Sequence, residues 1–216
     1  MTDQADAVPG QRALQKQETR RKILDSALRE FSERGFEGAS LRDISAAAGV
    51  NHALIKYHFE NKEQLWKAAA DFLFTRLEEE MVEPAYIAAK PRNERVKQWI
   101  HRYVRYCARH PEHARIMVQE SIRDSVRLRW AADKYIRRHH QLLLDSLPRT
   151  LDLERFPDIA MPTLVYMLNA AMQAPFTLAT EIKLVHGTTV DSEEFVESYA
   201  DSIFQLFFAP YLSAEK

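Results

Sequence analysis

Three of the chain's five glycines, Gly35, Gly38 and Gly49, fall within fifteen residues of one another. The rest of the 216 residues hold only Gly10 and Gly187, scant material for hairpin turns or Gly-rich phosphate loops. The first third is therefore tightly punctuated, while the remainder reads as long helices broken mainly by proline. Ala, Leu, Glu and Arg dominate and β-branched alternation is rare, so the chain is expected to be all-α. The expected division is a flexible lead-in over 1–17, a compact domain over 18–64 and a larger helical domain over 65–216, with about nine helices in all.

The net charge is −1, from 30 Lys+Arg against 31 Asp+Glu, which excludes an overall polycation. That balance hides segregation: residues 1–62 carry +1, 63–91 carry −3, 92–140 carry +8 and 141–216 carry −7. The +8 stretch is either a solvated face paired with the acidic carboxyl-terminal region or an attractor for an anionic effector. The single cysteine, Cys107, excludes an internal disulfide and a cysteine-built zinc cage, and suits a cytoplasmic setting. Residues 1–10 are polar and acidic, unlike a secretory leader. Ile159 to Thr180 is uncharged and nominally long enough to span a bilayer. Pro162, Asn169, Gln173 and Pro175 interrupt it, so a buried helix at a protein interface is expected and no membrane partner is.

In the first domain a helix from near Glu18 carries Ile23, Leu24, Ala27, Leu28 and Phe31 on one stripe, and Gly35 is placed to end it. Ser40 is placed to N-cap a short second helix with Leu41, Ile44 and Ala48 inward. Gly49 ends that helix, and Asn51 caps a third that buries Ile55 and Phe59. A fourth begins near Lys62. Two short helices joined by a glycine-containing turn have helix-turn-helix geometry. The small residues Ser45, Ala46, Ala47 and Ala48 are expected to let them cross closely. The third helix would expose His52, Lys56, Tyr57 and His58, an acid-free set flanked by Arg42 and Lys62 and suited to phosphate oxygens. Adjacent residues cannot face the same way, so Phe59 is expected in the core and Tyr57 outside.

The segments from Ile23 to Phe31, Gly35-Phe36, Ser40 to Val50 and Ile55 to Glu63 resemble the amino-terminal domain of TetR-family transcriptional regulators. The resemblance covers roughly residues 18–70. It implies a homodimeric DNA-binding regulator, most often a repressor released from its operator by a small molecule bound in the carboxyl-terminal domain. Carried over position by position, Ser40 touches DNA backbone, and Arg42 reaches a base edge or phosphate. Asn51, His52, Ala53 and Leu54 open the recognition helix, Tyr57 and His58 pack on sugar–phosphate, and Lys62 pairs with a phosphate. Lys56 stands where the family most often has tyrosine, leaving its contact, base or phosphate, open.

In the second domain the fourth helix is expected to reach Glu83 and to act as the lever between domains. Further helices are expected from Arg92, from Pro111, over Val126 to Leu147, over the uncharged run, and from a capping box at Asp191 to Pro210. The last two are apolar around much of their circumference and are the expected homodimer contact. Asn169 and Gln173, one turn apart in an otherwise apolar run, either bond within the core or across the dimer, or face a ligand. With Tyr103, Met117, Glu120, Trp130 and Tyr166 they form the expected effector set. A rival reading is a helical metalloenzyme built on His101, His110, Glu112, His113, His139 and His140. The chain lacks ExxH and HExxH pairings, a Walker loop, Gly-x-Ser-x-Gly and a partnered cysteine nucleophile. No enzymatic activity, cofactor or metal is expected.

Overall fold

A computed structural model describes residues 10–152 and 154–212. They are helical apart from short connections and an isolated antiparallel bridge between Leu151 and Leu212. The chain divides into two compact units, the first through Phe72 and the second from Leu73. The division falls inside one helix, later than the sequence boundary at 64.

In the first unit α1 (Gln11–Gly38), α2 (Leu41–Ala47) and α3 (His52–Phe59) are followed by α4 (Lys62–Met81), which continues into the second. Ile23, Leu24, Ala27, Leu28 and Phe31 of α1 meet Ile44, Ile55, Phe59, Leu65 and Trp66 in a buried core. Each fully buried Leu, Ile or Phe among them contributes on the order of 1.5–3 kcal/mol. Gly35 interrupts α1 at φ 69°, ψ 174°, a conformation only glycine adopts without strain. Ser40 caps α2, its Oγ accepting from the Arg42 and Asp43 amides at 3.2 and 3.4 Å. Gly49 turns the chain at φ 65°, and Asn51 Oδ1 accepts the Ala53 amide at 2.9 Å to open α3.

Two expectations are revised here. Helix α1 starts at Gln11, so residues 11–17 are helical; residues 1–9 of the expected lead-in lie outside the described residues. Of the four small residues before Gly49, Ser45 is buried and Ala48 half-buried, while Ala46 and Ala47 face solvent.

The second unit continues with a single turn, α5 (Ala85–Ala88), then α6 (Arg92–Arg109), α7 (Pro111–Ile122), α8 (Val126–Ala131), a π-turn over 132–136 and α9 (Arg137–Thr150). It closes with α10 (Met161–Thr177), α11 (Ala179–His186), α12 (Glu193–Phe207) and a 3-10 turn. Helix α6 packs on α10 and α12 and buries Ile100, Val104, Tyr106 and Cys107 against Leu164, Leu168, Met172, Ala200 and Ile203.

The uncharged run forms one helix, α10, as expected; α11 takes only its last two residues, Ala179 and Thr180. Pro175 has no amide to give the Ala171 carbonyl, and the Tyr199 hydroxyl of α12 donates to that carbonyl at 2.6 Å instead. Arg115 of α7 donates to the Phe176 carbonyl at 3.0 Å. With its last carbonyls met from other helices, α10 ends, and α11 begins beyond Leu178. The expected box before the final helix is a single cap, Ser192 Oγ accepting from the Phe195 amide at 3.2 Å. No helix among the described residues is long and apolar enough to cross a membrane.

Candidate nucleic-acid interface

Helix α3 divides by face. Ile55 and Phe59 enter the core, while His52, Ala53, Leu54, Lys56 and Tyr57 are exposed and His58 is half-buried. Tyr57 is 69% exposed against 4% for Phe59, so their directions follow from their adjacency on a short helix. Between Asn51 and Phe59 the helix carries no acid. A nearby carboxylate, Asp43, is taken up by Arg34 at 3.3 Å, which leaves Arg42 exposed at the start of α2. The outcome is a donor surface of imidazoles, an amine, a phenol and a guanidinium, chemistry that suits phosphate oxygens and the acceptor edges of bases.

Three residues of the expected set also have structural partners. Ser40 and Asn51 are the helix caps already described. Lys62 is half-buried: its Nζ donates to the Glu37 carbonyl at 3.2 Å and lies 4.7 Å from the centroid of the Phe36 ring. It thus ties the start of α4 to the end of α1. Phe36 in turn stacks on Phe31 with centroids 6.0 Å apart.

Sequence reasoning missed Lys16 and Arg20, because it placed Lys16 in a flexible lead-in and began the helix at Glu18. Lys16 Nζ sits 5.3 Å from the Tyr57 ring centroid, and the Arg20 guanidinium 5.4 Å from that of Phe59. His58 has its pKa lowered from the ordinary imidazole value, first by partial burial and then by the charges of Lys16 and Arg20. A basic residue every fourth position in a stretch of good helix formers was the available signal.

In the second unit Tyr103, Asn169 and Gln173 come together. The Gln173 amide donates to the Tyr103 hydroxyl at 2.7 Å, and that hydroxyl donates to Asn169 Oδ1 at 3.3 Å. Each amide therefore has a partner within its own chain. Tyr103 and Gln173 also line a cavity of about 10 Å³ with Tyr106, Cys107, His113 and Phe176, room for about one water. Burial raises the Cys107 thiol to about 12 and lowers His113 to about 3, the latter helped by the Arg76 charge. The Tyr106 hydroxyl lies 2.7 Å from His113 Nδ1.

The other four expected effector residues do not join this cluster. The buried Glu120 carboxylate pairs with the buried Arg127 guanidinium at 3.1 Å and accepts the Ser125 hydroxyl. Met117 is half-buried on α7. The Trp130 ring lies beside Tyr135 and under Lys134 Nζ. Tyr166 is exposed on α10, edge-on to His140.

The basic 92–140 stretch is largely compensated. Lys97 pairs with Asp201 at 2.8 Å, and Arg105 grips Glu197 with two bonds at 2.5 and 2.6 Å. Each ring nitrogen of the buried His101 lies 2.9 Å from one of these carboxylates. Other members pair with acids of the 63–91 segment: Arg95 with Glu83, Arg109 with Glu80 and Arg138 with Glu78. Among the described residues no group of three or more His, Cys, Asp or Glu is placed to hold a metal.

Residues 23–69 match the bacterial regulatory proteins, tetR family. Among curated proteins, the chain is 38% identical over 53 residues to IcaR of Staphylococcus epidermidis, a negative transcriptional regulator of a biofilm operon. That stretch covers 24% of this chain and 29% of IcaR. It is 28% identical over 120 residues to the transcriptional repressor NicS of Pseudomonas putida, covering 56% of each. The matched stretches thus span under a third and just over half of those two relatives. Among solved structures, AibR in complex with isovaleryl coenzyme A and operator DNA superposes with a TM-score of 0.69 at 18% identity. The superposition covers 89% of this chain and 99% of AibR and extends the likeness in fold through the second unit. A helix-turn-helix presenting an acid-free surface coincides with the family match, so residues 23–69 are similar to the bacterial regulatory proteins of the tetR family, and the likeness beyond them is one of fold.

Proposed function

We propose that the chain acts as a homodimeric repressor that leaves its operator when a small molecule enters the second unit. The observation that carries the DNA-binding part is the exposed, acid-free face of α3. His52, Ala53 and Leu54 at its start would meet base edges, with Arg42 alongside. Lys56, Tyr57, His58 and Lys62 would meet backbone, and Ser40 and Asn51 would hold the two helix starts in register. The description of IcaR as a negative regulator and of NicS as a repressor supports the sense of regulation.

The dimer reading rests on uncharged surface: Tyr166 and Met167 of α10 and Leu206 of α12 are exposed, the last by 69%. A twofold contact through α10 and α12 would cover them. For the effector, Tyr103, Asn169 and Gln173 are the residues we carry forward. The cavity lined by Tyr103 and Gln173 has room for about one water, so a ligand must select a more open state and can shift the population only by its preference for that state. Helix α4, shared by both units, is the route by which such a change would reach α3. AibR, with an acyl coenzyme A and operator DNA in one crystal, is a precedent for both ligands on this fold.

Selection from a random duplex library, followed by light scattering of the complex, tests this reading. The expected product is an inverted repeat with half-sites about 34–36 Å apart, or a multiple of that, bound by two chains. Adding a small-molecule library to that complex should identify a compound that dissociates it. A single unrepeated site bound by one chain would remove the dimer, and persistence of the complex through the screen would count against effector release.

A further inference from the structure

The segment of α1 ahead of Ile23, where the family match begins, carries Arg12, Lys16 and Arg20 at every fourth position. At 1.5 Å per residue these cations stand about 6 Å apart on one helix face, over a span of about 12 Å. All three are exposed, and none has a carboxylate partner among the described residues. The neighbouring face of the same turns behaves differently: Lys22 pairs with Glu18 at 2.8 Å and Arg21 with Asp25 at 3.8 Å, both at four-residue spacing. Like charges at that spacing repel and weaken a helix, so the uncompensated stripe works against the stability of its own segment. Its position is fixed by Lys16 over the Tyr57 ring and Arg20 over that of Phe59, which sets it alongside the exposed residues of α3. A row of cations about 12 Å long matches the rise of three to four nucleotides of one DNA strand, at about 3.4 Å each.

We propose that Arg12, Lys16 and Arg20 form a phosphate-binding track that holds the DNA backbone beside the bases met by α3. The proposal rests on the DNA-binding reading above and adds contacts outside the helix-turn-helix. Such contacts release counterions without reading sequence, so they contribute to affinity and salt dependence and leave base preference alone.

The test uses the full chain and the duplex enriched by selection with the unmodified protein, with affinity measured by anisotropy across a salt series. The triple variant Arg12→Gln, Lys16→Gln, Arg20→Gln should give a log–log salt slope shallower by about 2–3 units, at about 0.9 per phosphate lost. Its own selection should return the same bases. Lys16→Arg should keep the original slope. The control Arg21→Gln, Lys22→Gln removes neighbouring charge outside the stripe and should also keep it. An unchanged slope in the triple variant overturns the track, as does an equal flattening in the control or a changed base preference. Failure to enrich any duplex with the unmodified protein would instead overturn the DNA-binding reading, a result distinguishable from all of these.

Discussion

Around α3 each helix start is set by a side chain within three positions of the amide it receives, Ser40 for α2 and Asn51 for α3, with Gly49 turning the chain between them. Around α6 the decisive partners are remote: His101 meets Glu197 and Asp201 across 96 and 100 positions, and Tyr103 meets Asn169 and Gln173 across 66 and 70. The first unit uses local rules to present one polar surface on an apolar core. The second draws on polar groups inside or near its core and matches several of them to partners far along the chain, alongside nearer pairs such as Glu120 with Arg127. Such pairs make the second unit sensitive to the loss of one atom, because a low-dielectric interior leaves the abandoned partner expensive.

That contrast can be broken first at Glu120. Replacing it with Gln removes the carboxylate paired with the buried Arg127, and breaking a buried pair costs about 3–5 kcal/mol. Native-state hydrogen exchange should show amides of α6, α7 and α10 losing protection while those of α1 to α3 keep theirs. Equal loss in both units would mean that their stabilities are not separable in the way the contacts suggest. A smaller effect is expected from the local rules. Asn51→Ala removes the cap of α3 and should cost about 1 kcal/mol, with most of that cost returned by Asn51→Asp or Asn51→Ser. Denaturant unfolding monitored at Trp66 checks it, and an undiminished stability would show that tertiary packing alone sets the start of α3.

The same contrast explains what could be read in advance. The caps, the glycine turn and the division between Ile55 or Phe59 and Tyr57 depend on residues a few positions apart, and the structure has them as expected. The start of α1 at Gln11 escaped because residues 11–17 bury no apolar stripe; their helix rests on intrinsic propensity. The break at Leu178 depends on Tyr199 and Arg115 reaching the carbonyls of α10 from other helices, which no local pattern encodes. The charge segregation announced that the +8 stretch needed compensation, but not that its partners would be divided between α12 and the acids of the 63–91 segment. Asn169 and Gln173 were recognisable as polar groups needing partners; that the partner is the Tyr103 hydroxyl follows only from the packing of α6 on α10.

The central claim is that the exposed face of α3, with Arg42 beside it, reads a DNA sequence. Affinities of the unmodified protein, His52→Ala and Arg42→Ala for the selected duplex and a scrambled one, at one fixed salt concentration, test it most directly. Each substitution should narrow the gap between the two duplexes, by about 1–3 kcal/mol where a base edge is lost, while binding to the scrambled duplex stays nearly unchanged. An equal loss on both duplexes, or no loss on either, would contradict it.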